Sequence, residues 1–134
     1  MKDWTGNKAS AKTLLGVNYK TNTTAEREQH DYYATDPKAV RLLDSKIRLP
    51  KYIWEPACGA GHLSDELRRL GHTVYEGDIV NRTGRHLYSG DFLKTKRMPR
   101  YTRCILTNPP YKYATEFILH ALELLPEDGI CCSI

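Results

Sequence analysis

Tyr52-Ile53-Trp54-Glu55-Pro56-Ala57-Cys58-Gly59-Ala60-Gly61 opens on a short apolar run and ends on two glycines, and Leu63, Leu67 and Leu70 follow at helical spacing. That order is strand, tight loop, helix. Downstream, Gly71 closes the helix, residues 72 to 77 form a second strand, and Asp78 stands at its carboxyl end. A third strand around His86-Leu87-Tyr88 leads into Gly90-Asp91-Phe92-Leu93, and Cys104-Ile105-Leu106-Thr107 is a fourth that ends at Asn108. The spacing predicts a helix over 114–125 with Phe117, Ile118, Ala121, Leu122 and Leu125 on one face. Pro126 to Gly129 is a turn, and a fifth strand begins at Ile130. Upstream, Asp36 is a helix cap and Pro37 suits the first helical position. Val40, Leu42, Leu43 and Ile47 give an apolar face before Leu49-Pro50 stops that helix near 47. Strands alternating with helices predict an α/β, three-layer, Rossmann-like fold with a mainly parallel sheet, whose ligands bind at the carboxyl ends of the strands where strand order reverses.

A chain of 134 residues fits one such domain, taken as 31–134, behind an arm over 1–30 in which no period persists beyond a short Leu14-Leu15-Gly16-Val17 patch. The charge, 20 − 16 = +4, permits a nucleic-acid partner without demanding one. Cys58, Cys104, Cys131 and Cys132 make no CxxC pair, and three of them fall in apolar strands, so they read as reduced thiols of a cytosolic protein. The polar start MKDWTGNKASAKT lacks a secretory hydrophobic region, no stretch has membrane-spanning length, and a cytoplasmic location is expected.

The candidate site residues lie at predicted strand ends. Gly59 and Gly61 let the backbone approach a ligand closely, ahead of a helix that presents unpaired N–H groups. Glu55 before them repels a pyrophosphate but can pair with an ammonium group, so the loop suits an amino-acid-bearing ligand, or is a plain strand-to-helix connection. Asp78, 17 residues after Gly61, stands where an acid reaches ribose hydroxyls, or is a solvated turn aspartate. Asp91 and Phe92 can supply a carboxylate and an apolar wall for an adenine ring, though Asp91 alone also fits an Asx turn.

Asn108-Pro109-Pro110-Tyr111 is the most informative segment. Its two prolines force an extended backbone that offers carbonyl acceptors and no N–H donors. The Asn108 side-chain oxygen and the Pro109 carbonyl can hold both hydrogens of an exocyclic amine and stabilise positive charge developing on its nitrogen, while Tyr111 stacks on the ring that bears it. Earlier, Asp31-Tyr32-Tyr33-Ala34-Thr35-Asp36-Pro37 combines aromatics, a hydroxyl and a helix start, which a capped helix with packed tyrosines explains equally well.

From about Tyr32 to Ile134 the chain resembles the catalytic core of the Rossmann-fold DNA amino-methyltransferases that modify adenine N6. TNPPY at Thr107 to Tyr111 carries most of the resemblance, with EPACGAG at Glu55 to Gly61 and the tyrosine-rich segment before Pro37. The tyrosine segment ahead of the Gly loop, with the NPPY loop downstream, is similar to the gamma motif order. The resemblance implies S-adenosylmethionine as cofactor. Glu55, Ala57, Gly59 and Gly61 would hold its methionine part, Asp78 its ribose, and Asp91 and Phe92 its adenine. Tyr33 and Thr35 would line the same pocket, although here Asp36 intervenes before Pro37.

It also implies DNA as partner, with the target adenine flipped out of the duplex at a cost on the order of a few kcal/mol. Between Arg82 and Arg103 seven Lys or Arg face one acid, Asp91. Of these, Arg82, Arg85 and Lys94 lie near the active edge, and with Lys112 they are the expected DNA contacts, with a solvated basic face as the alternative. The family's sheet continues past the fifth strand, so the reading expects a core incomplete after that strand. A homo-oligomer or a partner chain would then cover the sheet edge.

Overall fold

A computed structural model of the chain describes residues 35–134. The arm over 1–30 and Tyr33 lie outside the described residues. Helix α1 spans Pro37–Lys46, with Asp36 accepting the Lys38 N–H at 2.9 Å as its cap and proline in the first turn. Strand β1 (Tyr52–Glu55) leads through the Gly loop into α2 (His62–Arg69), which is followed by β2 (Thr73–Asp78) and β3 (His86–Ser89). A short 3₁₀ turn at Phe92–Lys94 precedes β4 (Cys104–Thr107). A second, at Tyr111–Tyr113, runs into α3 (Ala114–Leu124), and β5 is Ile130–Ser133.

Gly71 ends α2 as expected: at φ 102° it adopts the left-handed region, and the His72 and Gly71 N–H groups return to the carbonyls of Leu67 and Arg68. The five strands form one parallel sheet in the order β3-β2-β1-β4-β5. Chain order runs outward one way from β1 to β3 and the other way from β4 to β5, so the order reverses between β1 and β4, whose carboxyl ends adjoin.

Both faces of the central strands are covered, which explains why Ile53, Trp54 and Glu55 and all of β4 are buried. On one face, Val40 of α1 and Leu63 and Leu67 of α2 pack on Ile53, Val74, Cys104 and Leu106. On the other, Trp54 meets Phe92 edge-on at 5.2 Å, and Phe92 meets Phe117 of α3 at 5.0 Å. Each fully buried side chain of this size contributes roughly 1.5–3 kcal/mol.

Two sequence expectations are corrected here. The apolar faces assigned to α1 and α3 are wider than the stripes that are buried. In α1 Val40 is buried but Leu42 is 60% exposed, and in α3 Phe117 and Ala121 are buried while Leu122 is 57% exposed. A helix lying on a sheet presents one line of i, i+4 residues to it, and neighbours turned about 100° away stay in solvent. Among the described residues β5 forms one edge of the sheet and β3 the other. No helix among them is long and apolar enough to cross a membrane.

Candidate functional site at the carboxyl edge of the sheet

The Gly loop is tied to the end of β2. The Cys58 N–H donates to the Gly77 carbonyl at 3.0 Å, and the Gly59 N–H donates to Asp78 Oδ2 at 2.8 Å. Asp78 Oδ1 accepts the Ile79 N–H at 2.7 Å, so this carboxylate holds the loop shape as well as standing at the strand end. Gly59 and Gly61 have φ of 56° and 90°, the left-handed region that glycine adopts without a side-chain clash. Gly61 has a second constraint, because a Cβ there would lie 2.8 Å from Arg85 Nη2 and 3.0 Å from Thr83 Cγ2. Gly61→Ala is therefore expected to destabilise the fold by roughly 1–3 kcal/mol, read as a lower urea midpoint; an unchanged midpoint would contradict this loop geometry.

Glu55 ends β1 with 1% of its surface exposed. Its Oε2 accepts the Thr107 hydroxyl at 2.6 Å, and Oε1 is a buried oxygen with no hydrogen-bond partner. Burial, helped by the nearby Asp78 and Glu76 carboxylates, pushes its pKa up to about 8, against the pull of the Thr107 hydrogen bond and the Ala57 N–H. Glu55 is thus largely a neutral acid at pH 7.

Glu76, equally buried on β2, is the opposite case. Burial raises its pKa, but hydrogen bonds from Arg85, Thr83 and Arg68 outweigh burial and hold it at about 2. Neighbouring carboxylates in different surroundings thus carry different charges. Cys58 Sγ lies 3.2 Å from His86 Nε2, and ligand atoms of Cys58, Glu76 and His86 come within 4.8 Å of one another. Two guanidinium groups already neutralise Glu76, and burial with three nearby carboxylates raises the Cys58 thiol well above its ordinary range. A dication would meet two fixed positive charges and a protonated sulfur, so the trio reads as structural.

Beyond β3, Asp91 caps the 3₁₀ turn through Oδ1, which accepts the Leu93 N–H at 3.0 Å, while Oδ2 is buried with no partner. Phe92 is 1% exposed, with its ring against Trp54, Phe117 and His120. Ala57 is half-buried within the Gly loop. After β4, the Asn108 amide Nδ2 donates to Thr35 Oγ1 at 3.3 Å, which brings the two residues together although 72 others separate them in sequence. Pro109 is buried, the Pro110 carbonyl accepts the Tyr113 N–H at 3.0 Å, and Tyr111 is 69% exposed.

All four basic residues singled out, Arg82, Arg85, Lys94 and Lys112, are exposed. Arg85 bonds Glu76 Oε2 and Asp65 Oδ1, each at 2.7 Å, and lies over Gly61. Glu55, Asp78, Asp91 and Asn108 stand at or just beyond the ends of four neighbouring strands. Sequence reasoning passed over Thr107, Glu76 and the Cys58–His86 contact; the only available signal was polar residues at inward positions of otherwise apolar strands.

No protein-family model and no curated protein matches the sequence. Among solved structures the chain is similar to the glycopeptide N-methyltransferase MtfA, with a TM-score of 0.53 and 16% identity over 74% of this chain and 53% of that one. It is also similar to a TehB-like SAM-dependent methyltransferase from Corynebacterium glutamicum, with a TM-score of 0.51 and 16% identity over 94% of this chain and 73% of that one. The likeness is one of fold, and the chain spans about half the length of the first of these proteins.

Proposed function

We propose that the chain is the core of an S-adenosylmethionine-dependent methyltransferase acting on an exocyclic amine, and that this amine is N6 of adenine in DNA. The observation that carries the reading is the Thr107–Glu55 hydrogen bond, which joins the start of the Asn108 loop to the strand end that leads into the Gly loop, at the point where strand order reverses. The fold likeness to two methyltransferases supports the class of reaction. The substrate rests on the residues.

The residues fit the cofactor. Glu55 Oε1 and Asp91 Oδ2 are buried oxygens without hydrogen-bond partners, and an amino acid's ammonium group, which ionises Glu55, and an adenine amino group are donors to such oxygens. Glu55 would hold the ammonium end, Gly59 and Gly61 the backbone beside it, Asp78 the ribose and Asp91 the adenine, with Phe92 contributing at most a ring edge. When bound, S-adenosylmethionine supplies a methyl group made electrophilic by its sulfonium sulfur.

The chain's own contribution is orientation and charge stabilisation. The Thr35 bond is made by the donor end of the Asn108 amide, and the proposed chemistry needs the acceptor end, Oδ1. Oδ1 and the Pro109 carbonyl would accept the two amine hydrogens, and each bond strengthens as positive charge grows on nitrogen. The exposed Tyr111 ring offers a stacking surface for a base out of the helix. Arg82, Lys94 and Lys112 would contact phosphates; Arg85 bonds Glu76 and Asp65.

Incubation with DNA, RNA or protein and S-adenosylmethionine, followed by mass analysis of the products, tests this directly. N6-methyladenosine from DNA is the expected product. Label on RNA or protein alone would overturn the DNA assignment, and no product from any acceptor would overturn turnover by this chain.

A further inference from the structure

Thr107 is the last residue of β4, buried, and immediately precedes Asn108. Its carbonyl accepts the Ile134 N–H at 3.0 Å, and its hydroxyl reaches across to β1, where Glu55 Oε2 accepts it at 2.6 Å. The other oxygen of the same carboxyl group, Oε1, is the buried one without a hydrogen-bond partner. One side chain therefore has its two oxygens in two functional parts of the site. We propose that Thr107 is a positioning residue through which an ammonium-bearing ligand on Glu55 fixes the Asn108 loop. The inference rests on the reading of the pocket as an S-adenosylmethionine site and adds a coupling between its two halves.

The physical basis is the difference between a hydrogen bond to a carboxylic acid and one to a carboxylate. A bond to the ionised group is shorter and roughly twice as strong. Among the described residues, the titratable groups that act on Glu55 are Asp78 and Glu76 on β2 and Cys58 in the loop, and none of these is a cation. With its pKa near 8, Glu55 therefore keeps its proton at pH 7 until a cation arrives. Binding of the ammonium group expels that proton to solvent. The resulting carboxylate holds the Thr107 hydroxyl more tightly, and with it the start of the Asn108 loop. No other bond is made or broken in this step.

S-adenosylhomocysteine, which carries the same ammonium group and has no methyl to transfer, separates this coupling from turnover. Calorimetry with the full chain at pH 7, in two buffers of different ionisation heat, should show release of about one proton per ligand bound. Hydrogen exchange of the amides in 111–113 should slow when the ligand is present. In Thr107→Val, affinity at pH 7 should fall about tenfold and its pH profile should move to higher pH, because Glu55 loses the bond that favours its ionised form. Ligand should then no longer slow exchange in 111–113. Thr107→Ser keeps the hydroxyl and should restore both. A wild-type pH profile and wild-type protection in Thr107→Val would overturn the coupling and leave the pocket reading standing, as would binding without proton release. No binding of the ligand to the wild-type chain would overturn the pocket reading itself.

Discussion

Asn108→Ala is expected to lower the rate of methyl transfer by about 10²–10³-fold while leaving the affinity for S-adenosylhomocysteine within a fewfold of wild type. The split follows from where the side chain sits. Asn108 lies beyond β4, and although its partner Thr35 is expected to line the cofactor pocket, the polar groups proposed to grip the cofactor are at the ends of β1 and β2 and at Asp91. In the proposed reaction its acceptor is needed most when the attacking nitrogen gains positive charge, so removing it would cost more in the transition state than in the bound ground state. Alanine also leaves the Thr35 hydroxyl without this bond. Thr35 is 9% exposed, and losing the bond costs stability on the order of 1 kcal/mol. Single-turnover rates, with ligand affinity measured in parallel, provide the check. Turnover equal to wild type would remove Asn108 from the chemistry, and a parallel loss of ligand binding would mean that it shapes the cofactor pocket instead.

The sequence allows this experiment to be chosen because local signals mark the loop. Two prolines after an apolar strand remove donors whatever the rest of the fold does, and Gly59 and Gly61 declare their backbone conformation through the lack of a side chain. The parallel sheet is legible for a related reason, since Tyr52–Glu55 and Cys104–Thr107 are short apolar runs set between helical periods. Pairing between distant side chains is not legible in this way. Thr107 is an ordinary strand residue until β1 and β4 lie side by side and bring it to Glu55, 52 positions away. A count of Lys and Arg cannot show that the charge of Arg85, exposed like Lys94, is spent on Glu76 and Asp65. The width of a buried stripe is lost for the same reason, because the spacing of Phe117, Ile118 and Leu122 does not say how closely a neighbour approaches.

Glu55→Gln is expected to stabilise the ligand-free chain at neutral and alkaline pH and to weaken ligand binding. The folded pKa of about 8 lies above the ordinary 4.5, so the folded chain keeps a proton that the unfolded chain gives up. Stability from this group is fully present below pH 4.5 and declines as pH rises, until it levels off above the folded value. Between pH 5 and pH 8 the wild type should therefore lose about 3 kcal/mol more than Glu55→Gln, in which nothing titrates at that position. Urea unfolding of both chains at the two pH values gives the difference directly. Equal pH slopes would mean that Glu55 is already ionised in the fold. The same substitution removes the negative charge that an ammonium group would meet, and affinity for S-adenosylhomocysteine should fall at least about 30-fold. A buried carboxyl group that costs stability when ionised, and that a neutral isostere relieves, is difficult to explain as packing. Its retention is explained if a cation occupies the pocket when the protein works, because the ligand then offsets the desolvation that the empty fold must bear. Stability and affinity should thus move in opposite directions in this one variant, an outcome that neither a purely structural glutamate nor a solvent-exposed one would produce.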